Sequence, residues 1–202
     1  MIETEFECRL LIPKDRYDVL FKFFESCFGP IKETIQTNYY FDTKELDISK
    51  NGDVLRIRMV KGKPRGVITY KQKGIESDME YTQILTSNCD IELLVKNGVF
   101  PSGDAIKALQ EKDIDTSRFY YCGEITTTRY EYTDNDCLIV LDKNEYSNKV
   151  DYNLEVESKT RENAVKKVKT ICDEFEISFN NDNTPKSKRA IAAYLKKKNQ
   201  EF

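Results

Sequence analysis

The sequence has no histidine among its 202 residues. That excludes Ser-His-Asp and Cys-His triads, HExxH zinc sites and any imidazole acid or base. Chemistry in this chain falls to carboxylates, amines, guanidinia or a bound metal. The eight glycines form neither GxGxxG nor the P-loop pattern, so any phosphate must be held by side chains. The six cysteines, Cys8, Cys27, Cys89, Cys122, Cys137 and Cys172, are widely spaced and include no CxxC. Reduced thiols in a cytoplasmic protein are therefore expected rather than a disulfide framework. No apolar run approaches the roughly 18 residues of a spanning helix. The opening MIETEFECRLLI is acidic where a signal peptide is basic, so a soluble protein is expected.

Acids number 35 and bases 32, a net charge of −3, too balanced for a chain whose main task is coating nucleic acid. DNA is not an expected partner. The length suits one large domain, and no repeat, low-complexity tract or Pro/Gly/Ser linker marks a boundary, so a single domain over 1–202 is expected. Period-2 alternation dominates. Segments 2–12, 34–42, 53–60, 66–73, 79–84, 122–132, 137–143 and 150–158 read as strands. Helical spacing covers 14–27, 161–176 and 187–197, with shorter patterns at 90–97 and 103–113. Eight strands suffice to close a barrel. The predicted class is α+β: a closed eight-stranded antiparallel β-barrel with helices packed outside.

The polar faces of these strands carry unusual charge. Glu3, Glu5, Glu7 and Arg9 share one face of the first strand, and Asp151, Asn153, Glu155 and Glu157 one face of the last. Arg56 and Arg58 alternate with Leu55, Ile57 and Met59, and Lys71 aligns with Lys73. A sheet with one face in water also alternates. Ordinary solvent faces, however, mix Thr, Ser, Gln and Lys, whereas stacked carboxylates repel unless something neutralises them. Acids so placed suit a hard divalent cation, magnesium or manganese, and the bases suit a polyanion.

Glu5-Phe6-Glu7-Cys8-Arg9 resembles the N-terminal ExExK signature of the CYTH superfamily, the triphosphate tunnel metalloenzymes. The likeness continues in order through Thr37-Asn38-Tyr39-Tyr40-Phe41-Asp42-Thr43, Leu55-Arg56-Ile57-Arg58, Thr69-Tyr70-Lys71, Glu80 and Thr126-Thr127-Thr128-Arg129. It extends to Leu141-Asp142 with Tyr146, to Asp151 through Glu157, and to Lys186-Ser187-Lys188. The NYYFDT run looks most like the CYTH proteins of Firmicutes. The resemblance implies that Glu5, Glu7 and Glu157 ligate the metal and that Glu155 ligates a second ion or orients the attacking water. It implies that Arg9, Arg56, Arg58, Lys71 and Arg129 contact phosphate oxygens, with Lys186 or Lys188 joining from the C-terminal helix. Glu155, Arg9 and Lys71 then carry the catalytic roles. Arginine replaces the usual lysine at Arg9, exchanging a point donor for a planar fork. Asparagine replaces the first glutamate of the usual terminal triplet at Asn153.

The implied activity is metal-dependent hydrolysis of inorganic or organic triphosphate, with Mg2+ or Mn2+ as cofactor. A class IV adenylate cyclase is the enzymatic alternative, and a non-catalytic polyphosphate or nucleotide sensor the other. The expected partner is a small-molecule triphosphate, without DNA or membrane, and a homodimer is an open assembly.

Overall fold

The computed structural model describes residues 6–29, 33–74, 79–86, 91–179 and 184–200. The elements run β1 (Phe6–Ile12), α1 (Lys14–Phe28), β2 (Glu33–Asp42), α2 (Asp47–Lys50), β3 (Val54–Val60), β4 (Val67–Gln72), β5 (Met79–Ile84), α3 (Ile91–Asn97), α4 (Asp104–Gln110), β6 (Tyr120–Asp134), β7 (Cys137–Tyr146), β8 (Lys149–Ser158), α5 (Arg161–Glu174) and α6 (Lys186–Lys198). All eight predicted strands and all five predicted helices are present. The added element, α2, is too short to leave a periodic signal. It is built around buried Asp42, whose carboxylate accepts from the N–H groups of Thr43 (2.8 Å), Ile48 (2.9 Å) and Ser49 (2.9 Å). Among the described residues no helix is long and apolar enough to cross a membrane.

The strands form one eight-stranded sheet in the order β1-β8-β7-β6-β2-β3-β4-β5. The β1–β8, β7–β8, β6–β7, β2–β3, β3–β4 and β4–β5 ladders are antiparallel. The predicted α+β class holds, but the predicted closed barrel does not. β1 and β5 are the two ends of the sheet, and no ladder joins them among the described residues. The cause lies in what alternation can encode. An open sheet and a closed one alternate identically, while closure also needs tilt and shear that bring first and last strands into register. β5 has six residues, and its Met79 and Ile84 are 53% and 63% exposed.

Two compact units divide the chain, one comprising Met1–Ile35 with Thr126–Pro185 and the other Gln36–Ile125 with Lys186–Phe202. In the first, alternate residues Cys8, Leu10 and Ile12 of β1, Ile139 and Leu141 of β7, and Leu154 and Val156 of β8 make a buried face. Tyr17, Leu20 and Phe24, at helical spacing on α1, cover it together with Ala164, Val168 and Ile171 of α5. Thr160 caps α5, its hydroxyl accepting from the Asn163 N–H at 3.2 Å. In the second unit Phe41, Leu55, Ile57, Ile68 and Tyr70 pack with Leu94 of α3 and Ala105, Ile106 and Leu109 of α4. Burying each large side chain contributes about 1.5–3 kcal/mol. It also directs the alternate, charged residues of the same strands to the opposite face of the sheet.

Candidate active site

In the first unit this second face begins with Glu7 and Arg9 on β1. Ladder register sets Glu7 directly opposite Glu157 and Arg9 opposite Glu155. The Arg9 Nε donates to Glu155 Oε1 at 2.5 Å, and its Nη2 pairs with Glu7. Arg129 of β6 reaches the same carboxylate from the other side, its Nη2 donating to Glu155 Oε2 at 2.9 Å. Arg129 also grips Asp142 with both edges, Nε to Oδ1 at 2.9 Å and Nη2 to Oδ2 at 2.7 Å. Glu155 is 1% exposed and Asp142 fully buried. Burial works against the charge on both guanidinia, but Glu155 and Glu7 around Arg9, and Asp142 and Glu155 around Arg129, outweigh it and hold both pKa values above the ordinary one. These arginines are charged at every pH the fold survives.

Glu7 and Glu157 are like charges directly across a strand pair, an arrangement that is unfavourable unless neutralised. Their oxygens are the donor type a hard divalent cation takes, so this pair fits the metal that the resemblance implies. Among the described residues no group of three or more acids and cysteines gathers closely enough to hold a metal ion unaided. Glu5 lies outside the described residues, as does Glu3.

Next to this row, Asn153 is fully buried. Its Nδ2 donates to the Leu10 carbonyl at 3.0 Å, and its Oδ1 accepts from Asn144 Nδ2 at 2.7 Å. Asn144 in turn donates to Asp151 Oδ1 (3.0 Å) and accepts from the Thr127 hydroxyl (2.8 Å), while the Tyr146 hydroxyl donates to Asp151 Oδ2 (2.6 Å). The departure at Asn153 is thus one node of a hydrogen-bonded row running from β1 through β8 and β7 to β6.

The second unit presents a basic face. Arg56 and Arg58 stand on β3 opposite buried Leu55 and Ile57, and half-buried Lys71 stands on β4 across the ladder from Glu80. The Arg58 Nε donates to Asn38 Oδ1 at 2.9 Å. The Arg56 Nη2 reaches Glu80 Oε1 only at 3.5 Å, and its Nε is buried without a hydrogen-bond partner. Lys73 lies past the end of β4 and is exposed. Lys186 opens α6 half-buried, whereas Lys188 is exposed. Helix α6 lies against Gly123, where φ is +117° and a Cβ would come 2.8 Å from that of Tyr194.

The sequence assigned no role to Asn38, Asp142 or Asn144. For Asp142 a signal was present: a lone acid in the run Leu138-Ile139-Val140-Leu141-Asp142 is buried with a partner or not at all. The amides carried none, because a neutral side chain on a polar face is indistinguishable from an exposed one.

YjbK of Bacillus subtilis (strain 168), named provisionally as a triphosphatase, is 34% identical over 125 residues, 62% of this chain and 63% of that protein. The match therefore spans less than two thirds of YjbK. A solved Bacillus halodurans protein described provisionally as an adenylate cyclase is 28% identical with a TM-score of 0.77, covering 90% of this chain and 95% of that one. HpAC1 from Hippeastrum, a provisional adenylyl cyclase with a dominant triphosphatase activity, shares the fold at a TM-score of 0.74 and 20% identity, covering 96% of both chains. The CYTH domain pattern matches residues 3–188, and the chain belongs to the CYTH family.

Proposed function

We propose that this protein is a metal-dependent triphosphatase of the CYTH family, cleaving the terminal phosphoric anhydride of an inorganic or organic triphosphate. One observation carries the reading above all. The sheet faces opposite the hydrophobic cores hold the acid pair Glu7 and Glu157 in one unit and the bases Arg56, Arg58 and Lys71 in the other. YjbK, by its provisional name, points the same way. Arg56, Arg58 and Lys71 bind phosphate oxygens through their charged ends. Glu7 and Glu157, with Glu5, hold magnesium or manganese, which supplies charge neutralisation at the phosphate oxygens. Arg9 and Arg129 hold the Glu155 carboxylate fixed between them. Phosphate oxygens compete with Glu155 for these guanidinia, and a Glu155 freed from one of them orients the attacking water. Lys186 enters the site in preference to Lys188, since it is the half-buried one of the two.

A cyclase reading draws on the provisional description of the Bacillus halodurans relative. Both readings meet one experiment: phosphate release from tripolyphosphate, ATP and thiamine triphosphate, with magnesium, manganese or a chelator, alongside cyclic AMP measured from ATP. Metal-dependent phosphate release is expected. Cyclic AMP without it establishes the cyclase, and tripolyphosphate binding without any turnover establishes a sensor.

A further inference from the structure

Asn38 and Arg58 are direct partners in the β2–β3 ladder, and Asn38 is 2% exposed. Its side-chain oxygen accepts the Arg58 Nε at 2.9 Å. The contrast with the other unit is chemical. There Arg9 and Arg129 each donate the Nε to a carboxylate, Arg9 to Glu155 and Arg129 to Asp142. A carboxylate orients a guanidinium and also cancels its charge, while an amide oxygen orients it and adds no charge. At Arg58 the side-on nitrogen is fixed by a neutral acceptor from the adjoining strand, and the terminal nitrogens form the other edge of the fork.

We propose that Asn38 is a positioning residue for polyphosphate binding, seating the Arg58 guanidinium from its Nε side without neutralising it. The inference rests on the triphosphate reading and deepens it. Asparagine is the residue type this requires: aspartate keeps the acceptor and nearly the same shape but sets a negative charge against the Nε, and alanine leaves the fork unseated. With Asn38 buried and Arg58 half-buried, that charge counts for more than it would in open water.

The test is a double-mutant cycle. Wild type, Asn38→Asp, Arg58→Ala and the double variant of the full chain are titrated calorimetrically with tripolyphosphate and magnesium, and their melting temperatures are measured without ligand. Asn38→Asp is expected to weaken tripolyphosphate binding about tenfold, or about 1.4 kcal/mol, while its unliganded melting temperature holds or rises. In the Arg58→Ala background the same substitution is expected to change binding little. In phosphate release it raises KM and leaves kcat nearly unchanged. Unchanged binding, an equal loss in both backgrounds, or a sharp fall in melting temperature overturns the proposal while the triphosphate reading stands. A wild type that binds no tripolyphosphate overturns both.

Discussion

The Arg9 Nε lies 2.5 Å from Glu155 Oε1, fastening β1 to β8 through a carboxylate that also accepts from Arg129. Glu155 is 1% exposed and its two oxygens serve two guanidinia, so Glu155→Gln leaves two largely buried cations short of a partner. Breaking a buried ion pair from one side costs about 3–5 kcal/mol. The variant is expected to unfold at a markedly lower urea concentration and to lose turnover. Full stability with turnover abolished would limit Glu155 to a chemical role.

Arg56→Ala and Arg58→Ala are expected to behave in the opposite way. Arg56 has one long contact to Glu80 and a buried Nε without an acceptor, and a buried donor left unpaired is itself a cost to the fold. Tripolyphosphate affinity should fall about tenfold or more for each, by the worth of a hydrogen bond to a charged group, with urea midpoints close to wild type. A large loss of stability with normal tripolyphosphate affinity would make these arginines structural.

Much of this was legible in advance, for a physical reason. Strands with one face on a core must alternate, so Leu55-Arg56-Ile57-Arg58 and Leu154-Glu155-Val156-Glu157 disclosed both the strands and which side chains share a face. Helices announced themselves equally well, as with Tyr17, Leu20 and Phe24 on α1. Closure was not legible, because nothing in β5 records whether its outer edge meets another strand. Nor was the difference between Arg58 and Arg129. Both are arginines on alternating strands, and the cross-strand partner, Asn38 for one and Asp142 for the other, tells them apart.

Asp53 gives a pH signature independent of catalysis. It accepts from the Tyr70 hydroxyl (2.5 Å), the Lys73 N–H (2.9 Å) and the Lys112 ammonium (2.9 Å). Burial alone would raise its pKa, but Tyr70, Lys112 and the Lys73 amide together hold it below the ordinary 3.8. A depressed carboxylate contributes stability in full above its unfolded pKa and loses it as pH falls through the folded value. Asp53→Asn is therefore expected to cost about 1–3 kcal/mol at pH 7, and the deficit relative to wild type should narrow only below about pH 4. Urea titrations at pH 7, 5 and 3.5 check this. A deficit that closes between pH 7 and 5 would exclude Asp53 as its source.

Asn153 occupies the place where the family pattern has a glutamate, and the structure gives the amide a specific use. Its nitrogen donates to the Leu10 carbonyl and its oxygen accepts from Asn144, at zero exposure. A carboxylate can accept from Asn144 but has no proton to offer Leu10, and across the ladder it would face Asp142. Asn153→Glu is therefore expected to destabilise the protein by several kcal/mol and to leave the magnesium concentration for half-maximal phosphate release unchanged. Burial and the nearby acids would raise the pKa of the introduced carboxyl. A raised carboxyl pKa favours the fold below the unfolded value and loses that advantage as pH climbs, so the deficit should grow between pH 5 and pH 8. Urea midpoints at the two pH values and a magnesium titration at neutral pH decide the matter. A variant as stable as wild type that needs less magnesium would show that residue 153 addresses the metal, and that its amide weakens a site the fold could otherwise hold.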